Sequence, residues 1–179
     1  MNKVESKMES KMKALIKSDE EKSTVIENEN TENTMYYTNK MKMEFDSKSE
    51  NEALARMAAS AFIMQLDPTM EQMNDIKTAV SEAVTNAIIH GYPQGNGKVQ
   101  MECEIRKDLL IIKVSDKGIG IDNVELAMEP MYTSKPERGR SGMGFVFMDV
   151  FMDGLKVQSS KGLGTTITMK KKICSAWQE

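Results

Sequence analysis

Apolar and polar residues change rhythm several times along this chain, and each change marks an element. Up to about residue 40, Lys, Glu, Asn, Ser and Thr dominate and the few apolar residues sustain no period. One stretch, residues 8–17, places Met12, Leu15 and Ile16 close to helical spacing. The arm 1–40 therefore reads as disordered, or as folding on a partner. Met43 and Phe45 on either side of Glu44 give the first strand alternation, and Met41 and Met43 offer an internal start of translation. Ser49 or Glu50 then opens a helix with Leu54, Met57, Ala58, Ala61, Phe62 and Leu66 on one face. Asp67 as N-cap and Pro68 as first helical residue begin a second helix. Its stripe of Met70, Met73, Ile76, Val80, Ala83, Val84, Ala87 and Ile88 runs to Gly91.

Past the turn 91–97 the period drops to two. Val99, Met101, Cys103 and Ile105 alternate with polar residues, and Lys107-Asp108 turns the chain into an apolar strand, 109–115, so the two form a hairpin. Residues 116–144 are rich in glycine and charge with little periodicity, which inside a domain signals a functional loop. Phe145, Phe147, Met148 and Phe151 mark a short helix, and 155–159 with 165–172 form a closing hairpin through Lys161-Gly162. This order predicts an α+β fold: a two-layer sandwich of a mixed β-sheet with its helices on one face, over residues 41–173, followed by a tail 174–179.

Composition narrows the function. Of 179 residues, 24 are Lys or Arg and 27 Asp or Glu, for a net charge of -3. A weakly acidic chain without a basic stripe is no phosphate-neutralising binder, so no direct contact with nucleic acid is expected. No run approaches the roughly 20 apolar residues of a membrane span, and the charged N-terminus lacks a signal-peptide core, so neither membrane nor export is expected. Cys103 and Cys174, outside any C-x-x-C spacing, read as free thiols in a reducing compartment, the cytoplasm.

Four segments carry candidate chemistry. Glu82 and Asn86, four apart on a helix, bring a carboxylate and an amide to one face, a set suited to a metal ion and a general base. Asp116-Lys117-Gly118-Ile119-Gly120 puts an acid at a strand end, with glycines that let backbone approach a ligand. Arg140-Ser141-Gly142-Met143-Gly144 opens the short helix, whose amides and dipole attract anions, and Thr133, Lys135 and Arg138 precede it in a cationic lid. Gly162-Leu163-Gly164-Thr165-Thr166 opens the last strand. Taken singly, a solvated helix face, a turn and loop charges account for each segment.

In this order and spacing the segments resemble the N box, D-x-G-x-G box, G-x-G lid and terminal G-T-T of the superfamily of gyrase, Hsp90, histidine kinases and MutL. Residues 42–172 resemble most closely its anti-sigma factor serine kinases, through 65–70, 80–91, Thr133-Ser134-Lys135-Pro136-Glu137 and 140–145. The resemblance implies the Bergerat ATP-binding fold, ATP with Mg2+, and a homodimer. It also implies two protein partners: a sporulation sigma factor held inactive, and an antagonist protein phosphorylated on serine. By motif, Glu82 is the general base, Asn86 coordinates Mg2+, and Asp116 binds the adenine amino group in a pocket shaped by Gly118 and Gly120. Thr133, Lys135, Arg138, Arg140, Ser141, Gly142, Met143 and Gly144 close on the phosphates, Thr165 or Thr166 completes the adenine contacts, and Arg56 faces a protein partner. Arg138-Gly139-Arg140 departs from the family, which has an apolar and an acidic residue there, and makes this lid more basic.

Three rivals differ in what they require. A histidine kinase needs a phospho-accepting histidine on a dimerisation helix, whereas His90, the sole histidine, stands at the end of the N-box helix. An ATP-driven clamp needs a transducer domain. A sequestering module without catalysis, or a kinase for a stress-response sigma factor, shares the same boxes and differs in turnover or in partner.

Overall fold

The computed structural model describes residues 38–129 and 142–174. They lie within one unit spanning 37–179, and most of the N-terminal arm lies outside the described residues. Strand β1 (Thr38–Asp46) begins three residues before the boundary expected at 41, and upstream of both Met41 and Met43. It leads to helix α1 (Glu50–Ile63), a 3-10 turn (Met64–Leu66), helix α2 (Met70–Asn86) and a wide π-helical turn (Ala87–Gly91). The hairpin β2 (Lys98–Arg106) and β3 (Leu109–Asp116) follows, then the short helices α3 (Val124–Met128) and α4 (Gly144–Phe151), and the hairpin β4 (Gly154–Ser160) and β5 (Gly164–Lys172).

The strands lie in the order β1-β2-β3-β5-β4, and register lines their apolar positions into rows. Met41, Cys103, Ile112, Met169 and Leu155 form one row across all five strands, and Met43, Met101, Val114, Ile167 and Val157 the next. These rows face the helices. The opposite face presents Lys40 paired with Glu104 at 3.0 Å and Lys42 with Glu102 at 3.1 Å, the alternation expected of a sheet covered on one side. The two-layer α+β sandwich is as expected, but each of the four strand pairings is antiparallel. The crossover from β3 through α3 and α4 does return the chain parallel to β3, as a crossover should. β4 is set one place out, however, and β5 fills the gap antiparallel to both.

The helices pack with two corrections to the sequence reading. On α1 the buried residues are Ala55, Ala59 and Ile63, whereas Leu54 and Met57 are 54% and 61% exposed. α1 carries apolar residues on more than one side, and its small alanines allow the closer approach. The second helix is capped by Thr69, whose hydroxyl accepts the Gln72 N–H at 3.2 Å while Gln72 Oε1 accepts the Thr69 N–H at 3.1 Å. This reciprocal capping box outcompetes Asp67, which adopts a left-handed conformation (φ 46°) and ends the preceding 3-10 turn. On α2, Ile76, Ala79, Val80, Ala83 and Val84 are fully buried against the sheet.

Cys103 sits in a core row, where burial pushes its thiol up to about 12, and Cys174 is exposed; both are free. Among the described residues no helix is long and apolar enough to cross a membrane. Replacing Thr69 by Ala should cost about 1 kcal/mol. The urea midpoint should fall with an unchanged denaturant slope, and an unmoved midpoint would mean that the box contributes nothing to stability.

Candidate functional site

The rows explain why an acid is buried. Phe45 pairs with Val99, and Val99 with Asp116, so the carboxylate occupies the next apolar place at the end of β3 and is only 7% exposed. Burial raises its pKa, and backbone N–H groups of Gly118 and Thr165 pull it part of the way back. The Gly118 N–H donates to Asp116 Oδ1 at 2.9 Å.

The end of α2 meets this carboxylate directly. The π turn swings Gly91 so close that a Cβ there would lie 2.8 Å from Asp116 Oδ1. Gly91 O then accepts the Ile119 N–H at 3.0 Å. Residue 118 can only be glycine, because its Cβ would fall 2.0 Å from Gly91 O, backbone against backbone. Gly120 has φ 70° and passes as closely under Ser160 O, and the Gly162 N–H donates to Ile119 O at 2.7 Å. The loop 116–120 is thus held between the π turn and the β4–β5 turn.

Alternation separates the two threonines. Thr165 is buried on the helix-covered face with Asp116, and its hydroxyl lies 2.9 Å from Ser159 Oγ. The Thr166 hydroxyl, on the other face, donates to Ser115 Oγ at 3.1 Å. Of the pair, Thr165 shares the face of Asp116. Two further hydroxyls reach the loop from outside. The Tyr92 hydroxyl accepts the Lys117 N–H at 2.8 Å and donates to Lys98 O at 2.8 Å, and Ser159 Oγ accepts the Ile121 N–H at 2.8 Å.

Further along α2, Glu82 and Asn86 share a face as their spacing requires. The N-terminus of α4 runs into them: a Cβ on Gly144 would lie 2.9 Å from Glu82 Oε2 and 3.4 Å from Asn86 Nδ2. Gly142, at φ 66°, and Met143, the N-cap with no side-chain cap of its own, lead into that terminus. A carboxylate, an amide and a helix N-terminus therefore converge at one point. Thr133, Lys135, Arg138, Arg140 and Ser141 lie outside the described residues. Arg56 stands on α1, its Nε 3.0 Å from Glu52 Oε1, on a different helix from the site residues.

The donor set fits a nucleotide with its metal. Asp116 offers a buried acceptor beside glycine-thin backbone, as a base with an exocyclic amino group needs. Among the described residues no cluster of three or more His, Cys, Asp or Glu side chains could hold a metal. Mg2+ rarely uses such a cage. It is held by one or two protein groups together with water and phosphate oxygens, which suits Asn86.

The profile of the Histidine kinase-like ATPase domain matches residues 45–171. The chain is 62% identical to the Anti-sigma F factor of Clostridium beijerinckii over 136 residues, covering 75% of this chain and 95% of that protein. It is likewise 62% identical to the Anti-sigma F factor of Clostridium perfringens strain SM101, covering 75% and 97%. The chain belongs to the anti-sigma F factor family of histidine kinase-like ATPases. A crystal structure of RsbU and RsbW domains from Mycobacterium tuberculosis shares the fold, with a TM-score of 0.56 at 17% identity over 75% of this chain and 32% of that longer one.

For this anti-sigma F family member, ATP binding follows from the ATPase domain. Tyr92 and Ser159 escape the sequence reading because each lies outside the four boxes, and only the three-dimensional approach of their hydroxyls to loop amides reveals them. Tyr92 directly follows Gly91, the one sequence signal that it borders the site.

Gly118→Ala should forfeit ATP binding and destabilise the fold by about 1–3 kcal/mol, because neither backbone can yield cheaply. Isothermal titration showing wild-type affinity would refute the close approach. Asp116 also gives the fold a pH dependence of definite sign. With its folded pKa raised above 3.8, its contribution to stability is full below that pH and is lost as pH rises through the raised value. Asp116→Asn removes this loss, so the stability of the variant relative to wild type should grow as pH rises from 3.8 through the raised value. A difference independent of pH, measured by urea unfolding, would contradict it.

Proposed function

We propose that the chain is an anti-sigma factor that binds and inhibits the sporulation sigma F factor. It uses Mg-ATP to phosphorylate a serine of the anti-sigma F antagonist, and acts as a homodimer. The observation that carries this reading is the meeting of Glu82 and Asn86 with the N-terminus of α4. ATP supplies the phosphoryl group and Mg2+ shields the charge on its oxygens.

The chain's own residues supply position and proton transfer, which is most of what phosphoryl transfer asks of a protein. Asp116 takes the adenine amino group as acceptor, and Gly118 and Gly120 keep side chains out of the base pocket. Thr165, on the face of Asp116, completes the base contacts. Asn86 holds Mg2+ through its side-chain oxygen. Glu82 accepts the proton of the attacking antagonist serine. Gly142, Met143 and Gly144 present the α4 amides to phosphate, joined by Thr133, Lys135, Arg138, Arg140 and Ser141 of the lid. Arg56 contacts a protein partner from α1.

Support for sigma F over a stress-response sigma factor comes from the name shared by relatives at 62% identity over nearly their whole length. Glu82→Gln keeps the size and polarity of the side chain and removes its basicity. The variant should retain ATP and sigma F binding and lose phosphotransfer to the antagonist by at least about 100-fold. Labelled ATP, the antagonist and both proteins provide the test. Transfer undiminished in the variant would remove the general-base role. Absence of transfer by wild type, with ATP and sigma F still bound, would favour a non-catalytic sequestering module.

A further inference from the structure

The geometry points to Tyr92 and Ser159 as positioning residues that set base selectivity by clamping the two ends of the Asp116 loop. The inference rests on the reading of Asp116 as the acceptor for the adenine amino group. Asp116 itself is fixed by strand register, but the loop that carries its Gly118 partner and walls the pocket is not part of any strand. Backbone bonds hold its middle, through Ile119 N–H to Gly91 O and Gly162 N–H to Ile119 O. At its ends, Lys117 N–H is held by the Tyr92 hydroxyl and Ile121 N–H by Ser159 Oγ, each at 2.8 Å.

Both hydroxyls are themselves anchored to regular structure, so they transmit the position of the sheet to the loop. Tyr92 donates onward to Lys98 O at the start of β2, and Gly97 gives its ring room, since a Cβ at residue 97 would lie 2.2 Å from the ring. Ser159, on β4, lies 2.9 Å from both Gly164 O and Thr165 Oγ1 at the start of β5. Loss of either hydroxyl frees one loop end, and the carboxylate then meets the base with a less defined geometry. An oriented hydrogen bond discriminates an amino group from an oxygen far better than a loose one does, so selectivity falls.

Tyr92→Phe keeps the ring and removes the hydroxyl, and Ser159→Ala removes a hydroxyl that also meets Gly164 O and Thr165 Oγ1, so amide exchange at Ile121 reads the loop contact itself. The probes are ATP and ITP, whose ring bears an oxygen in place of the amino group, with equilibrium affinities for wild type, both variants and Asp116→Asn. Amide hydrogen exchange of the nucleotide-free proteins provides a second readout. Each hydroxyl variant should lower the ATP-over-ITP preference by about 3- to 10-fold. Exchange should quicken at Lys117 in Tyr92→Phe and at Ile121 in Ser159→Ala. General destabilisation would weaken both nucleotides together and leave their ratio unmoved. An unchanged ratio in both variants, or unchanged exchange at both amides, overturns the clamp while leaving the Asp116 reading intact, provided that Asp116→Asn loses the preference. Should Asp116→Asn keep the wild-type preference, the reading of Asp116 fails and the clamp with it.

Discussion

A carboxylate placed where the sheet calls for a hydrophobic residue is the constraint around which the site is organised. Asp116 continues the row of Phe45 and Val99, and desolvation there disfavours its charge. Such a group persists only if donors converge on it, and backbone N–H groups are the donors that fit the space. One of those donors, the Gly118 N–H, comes from a chain segment that turns tightly over the carboxylate, and the other, the Thr165 N–H, from the start of β5. The D-x-G-x-G pattern thus joins two constraints: a buried acid needs amide donors, and the loop that supplies one of them passes so close to Gly91 O that residue 118 has no room for a Cβ. The same burial that costs stability leaves an acceptor in low dielectric, where a hydrogen bond to a ligand discriminates well.

Helix α2 connects this corner to the other end of the site. Its buried stripe fixes it on the sheet, a half-buried side carries Glu82 and Asn86, and its last turn widens into a π turn. Without that widening the backbone at Gly91 would not lie against Asp116 and accept the Ile119 amide. Wide turns of this kind occur often at functional sites, since an extra residue in a turn shifts everything after it. One helix therefore sets the distance between the buried Asp116 carboxylate and the carboxylate–amide pair, and its registry on the sheet fixes both.

How much of this was legible in the sequence depended on whether the signal was local. The order of elements, the two hairpins and the burial of α2 follow from periodicity, and the four boxes locate the acid, the glycines and the helix N-terminus. What periodicity leaves open is a choice between near-equal alternatives. α1 is apolar on two sides, and packing distance chose the alanines over Leu54 and Met57. Asp67 and Thr69 both make good caps, and the glutamine three residues after Thr69 decided between them. The mixed sheet expected from the crossover became antiparallel because β5 inserted between β3 and β4, a long-range event with no local sign. Thr165 and Thr166 differ only in which face of β5 they occupy, and that waits on register. Tyr92 and Ser159 are further still from legibility, since a hydroxyl that meets an amide 25 or 38 residues away leaves no spacing to read.

The orientation of α4 follows from charge at both of its ends. Its N-terminus lies against Glu82, an acid where the dipole is positive, and its last carbonyl, Phe151 O, accepts from Lys171 Nζ at 2.6 Å. Lys171 is itself buried in β5, with Asp75 of α2 at 3.6 Å, so the cation that fixes the far end of α4 is tied to the same helix that carries Glu82. A buried ion pair gains little net stability over apolar packing, but removing one partner strands the other at a cost of about 3–5 kcal/mol. Its worth here is therefore geometric. α2 and α4 are joined at two charged points, which leaves α4 little freedom to slide along α2. That restraint keeps the amide end of α4 opposite Glu82 and Asn86.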